Sequence, residues 1–123
     1  MPYVPKFRHL FKILFRMQDQ KAAEGLYFEG TWLHDNGDDD GAHMAFSHAR
    51  LLDREFAGAF YNYAALTEKK KGKCKETLRA WEDYLRVAEK DSRQPRETVA
   101  KVREHVEELK GEKGEKTTAA AGN

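Results

Sequence analysis

The sequence is poor in the residues that build covalently bridged, metal-binding or membrane-spanning proteins. Cys74 is the only cysteine in 123 residues, which excludes an intrachain disulfide and any metal site made of several thiolates. No run reaches the roughly 18 apolar residues that a membrane-spanning helix requires, and no segment resembles a secretory signal. We therefore expect a water-soluble protein, with the reducing cytoplasm as its location.

An excess of charge of one sign is also missing. The chain has 22 basic and 21 acidic residues, for a formal net charge of +1. Nucleic-acid binding depends on a concentrated basic surface, so nucleic acid is not the expected partner. Charged residues make up 35% of the chain and there are only three prolines, which favours a helix-rich globular protein over a β-sandwich or a disordered chain.

An internal repeat is present. Leu26 and Phe60 begin equivalent apolar patterns 34 residues apart (60 minus 26), whereas Phe46 and Trp81 match at a spacing of 35 (81 minus 46). The additional residue falls in the second turn, before Gly72. Each copy has two stretches of helical apolar spacing joined by a glycine-containing turn, which predicts two helical hairpins.

These hairpins resemble the tetratricopeptide repeat, a 34-residue pair of antiparallel helices. In the first copy, residues at the spacing preferred by the family are Gly30, Gly37, Ala42, Phe46, Ala49 and Asp53, although Arg54 replaces the usual proline. The second copy contains AFYNYA, Gly72 and LRAWEDYL, but has Thr77 and Tyr84 where small residues are preferred. The resemblance implies an all-α fold, a short right-handed α-solenoid of about six helices, with repeats at 23–56 and 57–91.

The flanking segments are predicted to complete this array. Residues 1–22 form a basic amphipathic helix that packs on the first repeat or on a partner, through Phe7, Leu10, Phe11 and Leu14. Residues 92–110 form a capping helix with a narrow apolar stripe of Val99, Val102, Val106 and Leu109. Residues 111–123 have no large apolar side chain and are predicted to be a disordered tail.

The resemblance also implies a concave groove that binds a peptide or helix and is lined by the first helix of each repeat. In the first repeat the lining residues are Glu24, Tyr27, Phe28, Thr31, His34 and Asp35. In the second they are Tyr61, Asn62, Ala65, Glu68 and Lys69. The aromatic members are of the type enriched at binding hot spots. The alternative is that a terminal helix of the same chain fills this groove.

Other functional classes have weaker support. The run from Asp35 to Gly41 starts like a calcium-binding loop, but Ser47 stands where the bidentate glutamate belongs, so we interpret the run as a turn and helix cap. No arrangement of histidines, Cys74 or acids indicates metal binding, a cofactor or catalysis. The sequence therefore predicts a protein-interaction adaptor, scaffold or assembly subunit, with self-association included. The alternative is a membrane-surface protein anchored by residues 7–17, because no acidic residue precedes Asp19.

Overall fold

The computed structural model describes the backbone of residues 4–121 and the side chains of residues 8–111. Across that backbone range the chain is all-α, with no strand, as the sequence predicted. Its five helices are α1 (Val4–Asp35), α2 (Asp39–Leu52), α3 (Ala57–Lys71), α4 (Lys75–Ala88) and α5 (Arg96–Ala121). The helices form two compact units, Met1–Arg54 with α1 and α2 and Glu55–Asn123 with α3 to α5. Each unit contains one helical hairpin, whereas the right-handed stacking of hairpins stays a prediction.

Helix α1 is longer than expected. The sequence predicted a separate helix within residues 1–22, followed by the first repeat helix, but α1 is continuous for 32 residues. Between Lys6 and Glu24 there is neither proline nor glycine, and the stretch DQKAAE contains mostly strong helix formers. The predicted boundary is therefore absent, and the described chain has five helices rather than about six. At 1.5 Å per residue, α1 is about 48 Å long.

The α1/α2 hairpin is held together by a close crossing at Gly30. A Cβ atom on Gly30 would lie 2.8 Å from Cε1 of Phe46, so the Phe46 ring packs directly on the α1 backbone. Ala42 and Ala49 are completely buried on the same side of α2, and Ala23 is buried on α1. Small residues thus allow the backbones to approach while one large ring fills the space between them. The crossing predicted at these positions is confirmed.

The turn between α1 and α2 is built by Gly37 and Asp38. Gly37 has φ +87°, a conformation that glycine adopts without strain. The Asp38 carboxylate accepts a hydrogen bond from the backbone N–H of Gly41 at 2.9 Å, which satisfies one of the free donors at the start of α2. The acidic run is therefore a helix cap, as interpreted from the sequence.

The second unit has a closed core formed by α3, α4 and α5. Its aromatic part comprises Phe60, Trp81 and Tyr84, and Ala64 is completely buried in α3. The stripe on α5 is buried in the same cluster, with exposures of 2%, 6%, 3% and 4% for Val99, Val102, Val106 and Leu109. Helix α5 therefore closes the second hairpin, as predicted for a capping helix.

Two residues that depart from the repeat pattern are accommodated by hydrogen bonds. Thr77 and Tyr84 are both completely buried on α4. The Thr77 hydroxyl donates to the carbonyl oxygen of Gly72 at 2.6 Å, and the Tyr84 hydroxyl donates to Oε1 of Gln94 at 3.0 Å. Burial raises the pKa of the Tyr84 phenol, because the charged form would lose its solvation. Tyr84 thus links α4 to the segment that leads into α5.

Helix α5 continues to Ala121 instead of ending at residue 110. The sequence after Leu109 contains no proline, and its lysine, glutamate and alanine residues are compatible with a helix despite Gly111 and Gly114. Side chains from residue 112 onward lie outside the described part. The disordered tail expected at 111–123 is therefore not observed over 111–121, where the backbone is helical, and residues 122 and 123 lie outside the described part.

Candidate functional site

The first-unit residues assigned to the groove divide into packed and exposed aromatic side chains. Tyr27 is half-buried, with its ring centroid 5.6 Å from that of Phe46 and 5.9 Å from that of Phe28. Phe28 is 61% exposed. Tyr27 therefore contributes to the α1/α2 packing, and Phe28 retains most of its surface for other contacts.

The polar groove residues of the first unit make local contacts. The Thr31 hydroxyl donates to the Tyr27 carbonyl oxygen at 3.0 Å, one helical turn away. Nδ1 of His34 lies 2.7 Å from Oδ1 of Asp39, which joins the end of α1 to the start of α2. Glu24 and Asp35 are exposed on α1. The contact of His34 thus joins the two helices of its hairpin, whereas that of Thr31 stays within α1.

In the second unit, Tyr61 forms part of an aromatic cluster. Its ring meets Trp81 and Tyr84 edge to face, with centroid distances of 5.2 and 5.3 Å. Tyr61 is still 36% exposed. The other groove residues on this helix are Asn62 and Ala65, which are half-buried, and Lys69, which is exposed. The predicted lining of α3 is therefore largely the wall of its own core.

Glu68 differs most clearly from its predicted role. Its Oε1 accepts a hydrogen bond from Trp81 Nε1 at 3.0 Å and lies 2.5 Å from His105 Nε2. The rings of Trp81 and His105 also meet edge to face at 5.9 Å. This network joins α3, α4 and α5. At Glu68, the alternative in which the chain's own terminal helix meets the predicted lining is therefore the one observed, because His105 belongs to α5.

A groove that uses both residue sets stays a prediction, since the two sets belong to different units. Within the first unit, however, α1 presents an exposed apolar face that we call the outer stripe. It consists of Leu10, Leu14, Met17, Phe28 and Trp32, which are between 47% and 63% exposed. With 3.6 residues per turn, these five side chains lie on one side of α1, about half a turn from Ala23 and Gly30, which face α2.

The predicted N-terminal contact residues belong largely to this surface. Leu10 and Leu14 are in the outer stripe, and Phe11 is 51% exposed beside it, stacked on Phe15 with ring centroids 6.3 Å apart. The Phe7 side chain lies outside the described residues. All described side chains of residues 8–22 are exposed. The predicted packing of this segment on the first repeat is therefore not observed, because a continuous α1 carries the segment away from α2.

Sequence reasoning missed Trp32, which is 63% exposed. The spacing of Leu10, Leu14 and Met17 resumes at Phe28 and Trp32, and this regularity along α1 could have identified it. The repeat resemblance instead divided the stripe between an N-terminal helix and a groove. The division hid that both groups of apolar residues lie on one side of α1, with Lys21 between them.

The charges of α1 are separated along its length. Residues 4–18, which we call the basic half, contain Lys6, Arg8, Lys12 and Arg16 and no acid. Residues 19–35, the acidic half, contain Asp19, Glu24, Glu29 and Asp35 against Lys21 alone. Counting these residues gives formal charges of about +4 and −3 at neutral pH. Helix α1 therefore combines an apolar stripe with a strong charge asymmetry.

The described side chains show little that could support catalysis or metal binding. Among them no group of three histidine, cysteine or acidic residues is placed to hold a metal ion. Cys74 is half-buried, and its thiol lies 3.5 Å from the Thr77 hydroxyl, an interaction that lowers the pKa of the thiol. A threonine hydroxyl is not a general base at neutral pH, so this contact does not form a nucleophile and base pair.

In the part of the chain that the structure describes, every helix is too short or too polar to span a bilayer. Comparisons of the chain with protein families, with curated proteins and with solved structures gave no match. The resemblance to the tetratricopeptide repeat therefore stays a prediction.

Proposed function

We propose that this protein is an interaction module, an adaptor or assembly subunit that contacts another protein chain through the outer stripe of α1. The observation that carries the proposal is the exposure of five large apolar side chains on one face, over about 33 Å from residue 10 to residue 32. Burial of apolar surface contributes about 25 cal/mol per Å², which offsets the entropy lost when two chains associate. Extended exposed apolar surface of this kind commonly marks a binding site.

Phe28 and Trp32 are the expected anchors of this contact. They lie one helical turn apart on α1 and are exposed by 61% and 63%. Large aromatic side chains lose little conformational entropy on binding and dominate the energy of many interfaces. The opposite net charges of the two halves of α1 would orient the partner more than they tighten its binding.

The proposed contact surface is one face of α1, not the groove predicted from the repeat resemblance. Of the aromatic residues assigned to the groove, Phe28 remains in the contact surface. Tyr27 packs on Phe46, and Tyr61 packs on Trp81 and Tyr84. Their substitution would disturb the hairpins, whereas substitution of Phe28 or Trp32 would act on the exposed surface.

Affinity capture from the cells that make the protein would test the proposal. We expect Trp32→Asp to remove the proteins captured by the wild-type chain, because a charged side chain would face the apolar partner surface. Met44→Asp is the matched control, since Met44 is also 63% exposed but lies on α2. If both variants capture the same proteins as the wild-type chain, the outer stripe is not the contact surface.

A second candidate is attachment to an anionic membrane surface through the start of α1. It is favoured by the basic half, in which Arg8, Lys12 and Arg16 share one side of the helix and Leu10 and Leu14 lie on another. Co-sedimentation with vesicles rich in phosphatidylserine would separate the two candidates. Equal sedimentation of the full chain and a chain without residues 1–18 would exclude this candidate.

A further inference from the structure

We infer that the partner of the outer stripe is a second copy of this chain, with the two α1 helices packed antiparallel about a two-fold axis at Lys21. The inference deepens the proposed function and rests on it. Three properties of α1 lead to it: the symmetry of the stripe, the separation of its charges and the open side of the helix.

The spacing of the outer stripe is symmetric about Lys21. Leu10 and Trp32 each lie eleven residues from Lys21, and Leu14 and Phe28 each lie seven residues from it. In an antiparallel pair, Leu10 therefore meets Trp32 of the second copy, and Leu14 meets Phe28. A two-fold interface requires this self-complementarity, because each contact must occur twice.

Met17 has a small residue opposite it in this register. It faces Gly25 of the second copy, and no described heavy atom lies within 4 Å of where a Cβ on Gly25 would be. The long, flexible Met17 side chain can fill the space beside the glycine backbone. Alternation of large and small residues lets paired helices approach closely.

The charges favour the antiparallel orientation over the parallel one. In an antiparallel pair the basic half of each helix runs beside the acidic half of the other, whereas a parallel pair sets the two basic halves side by side. Arg8, Lys12 and Arg16 lie on the side of α1 away from the stripe, so they act on the second helix at long range and not as contacts within the interface. Interactions between exposed charges are individually weak, but their sum selects orientation and partner. At the axis the two Lys21 side chains repel each other, and Glu24, three residues along each helix, offsets this repulsion.

The stripe is accessible to a second copy without disturbing the hairpin. Helix α2 packs on the opposite side of α1, where Ala23 and Gly30 are buried. The contact would cover ten large side chains, five from each copy. If each loses roughly 100 Å² of exposed area, the interface reaches about 1,000 Å², the lower limit for a specific contact. We therefore expect a dimer that dissociates on dilution, with a dissociation constant on the order of 1–100 µM.

Cysteine cross-linking of the full chain would test both the partner and the register. In a Cys74→Ser background, Lys21→Cys is expected to form a covalent dimer under mild oxidation, since the two copies of residue 21 meet at the axis. Leu10→Cys alone is expected to stay monomeric, because its two copies would be about 33 Å apart. An equimolar mixture of Leu10→Cys and Trp32→Cys chains is expected to cross-link only between the two different variants.

Sedimentation of the wild-type chain between about 5 and 500 µM completes the test, with a rising average mass as the expected result. Efficient cross-linking of Leu10→Cys with itself would establish a parallel pair and overturn the inference. A monomer at every concentration would also overturn it, including when the chain binds phosphatidylserine vesicles instead. If the chain is a monomer but captures another protein through Trp32, only the dimer is overturned. If the chain is a monomer and capture does not depend on Trp32, the proposed function is wrong as well.

Discussion

The two units of this protein use similar hairpins but treat their apolar residues differently. In the second unit, α5 covers the hairpin, and its four stripe residues are at most 6% exposed. In the described part of the first unit there are two helices, and the outer stripe of α1 is about half exposed or more. A hairpin of two helices buries only the sides on which its helices face each other. The second unit closes its remaining side with its own chain, and the first leaves a surface that another chain can cover.

A charge placed on either stripe tests this difference most strongly. We expect Val102→Asp to lower the free energy of unfolding by about 3 kcal/mol or more, because the carboxylate would be buried without a partner. Leu14→Asp should change it by less than about 0.5 kcal/mol at low protein concentration, since Leu14 is 47% exposed. Urea unfolding followed by circular dichroism measures both. Similar losses in the two variants would show that the α1 stripe is part of a core.

Two glycines of α1 allow a finer comparison within the first unit. Gly30→Ala should destabilise the chain by about 1–3 kcal/mol, because the new methyl group would lie 2.8 Å from the Phe46 ring. Gly25→Ala should stabilise it by about 0.5–1 kcal/mol, since the site is open and alanine favours the helix. The same thermal or urea unfolding experiment gives both values. A stabilising Gly30→Ala would contradict the close crossing of α1 and α2.

A smaller effect is expected from the hydrogen bond between Tyr84 and Gln94 in the second unit. Tyr84→Phe removes the hydrogen bond to Gln94 and should cost about 1 kcal/mol near neutral pH. The pKa of Tyr84 is raised in the folded chain, so the unfolded chain loses this phenolic proton first as the pH rises. The contribution of Tyr84 is therefore complete below its unfolded pKa, near 10, and decreases above it.

Urea unfolding at several pH values between 8 and 11 would measure this dependence. The difference in stability between the wild-type chain and Tyr84→Phe should shrink as the pH rises past 10. Comparing the two chains cancels the titration of the other tyrosines and of the lysines. A difference that stays constant over this range would show that Tyr84 is not shielded from solvent.

Much of the fold could be predicted because it depends on local patterns. The apolar spacing of Val99, Val102 and Val106 predicted the buried face of α5, and Gly37 with Asp38 predicted the turn before α2. The close crossing at Gly30 followed from the combination of a small residue with a large ring. Each of these signals lies within one helix or one turn, or in the spacing of two neighbouring helices.

The candidate site was harder to predict, because it consists of the apolar side chains that the rest of the chain leaves exposed. Glu68 and Tyr61 are residue types that could line a binding groove. In the structure, however, Glu68 contacts His105, and Tyr61 packs on Trp81 and Tyr84 within the second unit. Trp32 is a residue type that usually belongs to a core, but here it is exposed. Burial depends on distant parts of the chain, so residue type and spacing could not distinguish these cases.

The all-α class, the two hairpins, the apolar face of α5 and the cap at Asp38 follow from local sequence, because helix propensity, periodicity and turn chemistry act over a few residues. Only the packing of the helices settled that the outer side of α1 stays exposed, and that Glu68 contacts His105 of α5. Those outcomes depend on which surfaces remain after all helices have packed. Which surfaces pack against each other depends on the whole chain and cannot be read from any single segment.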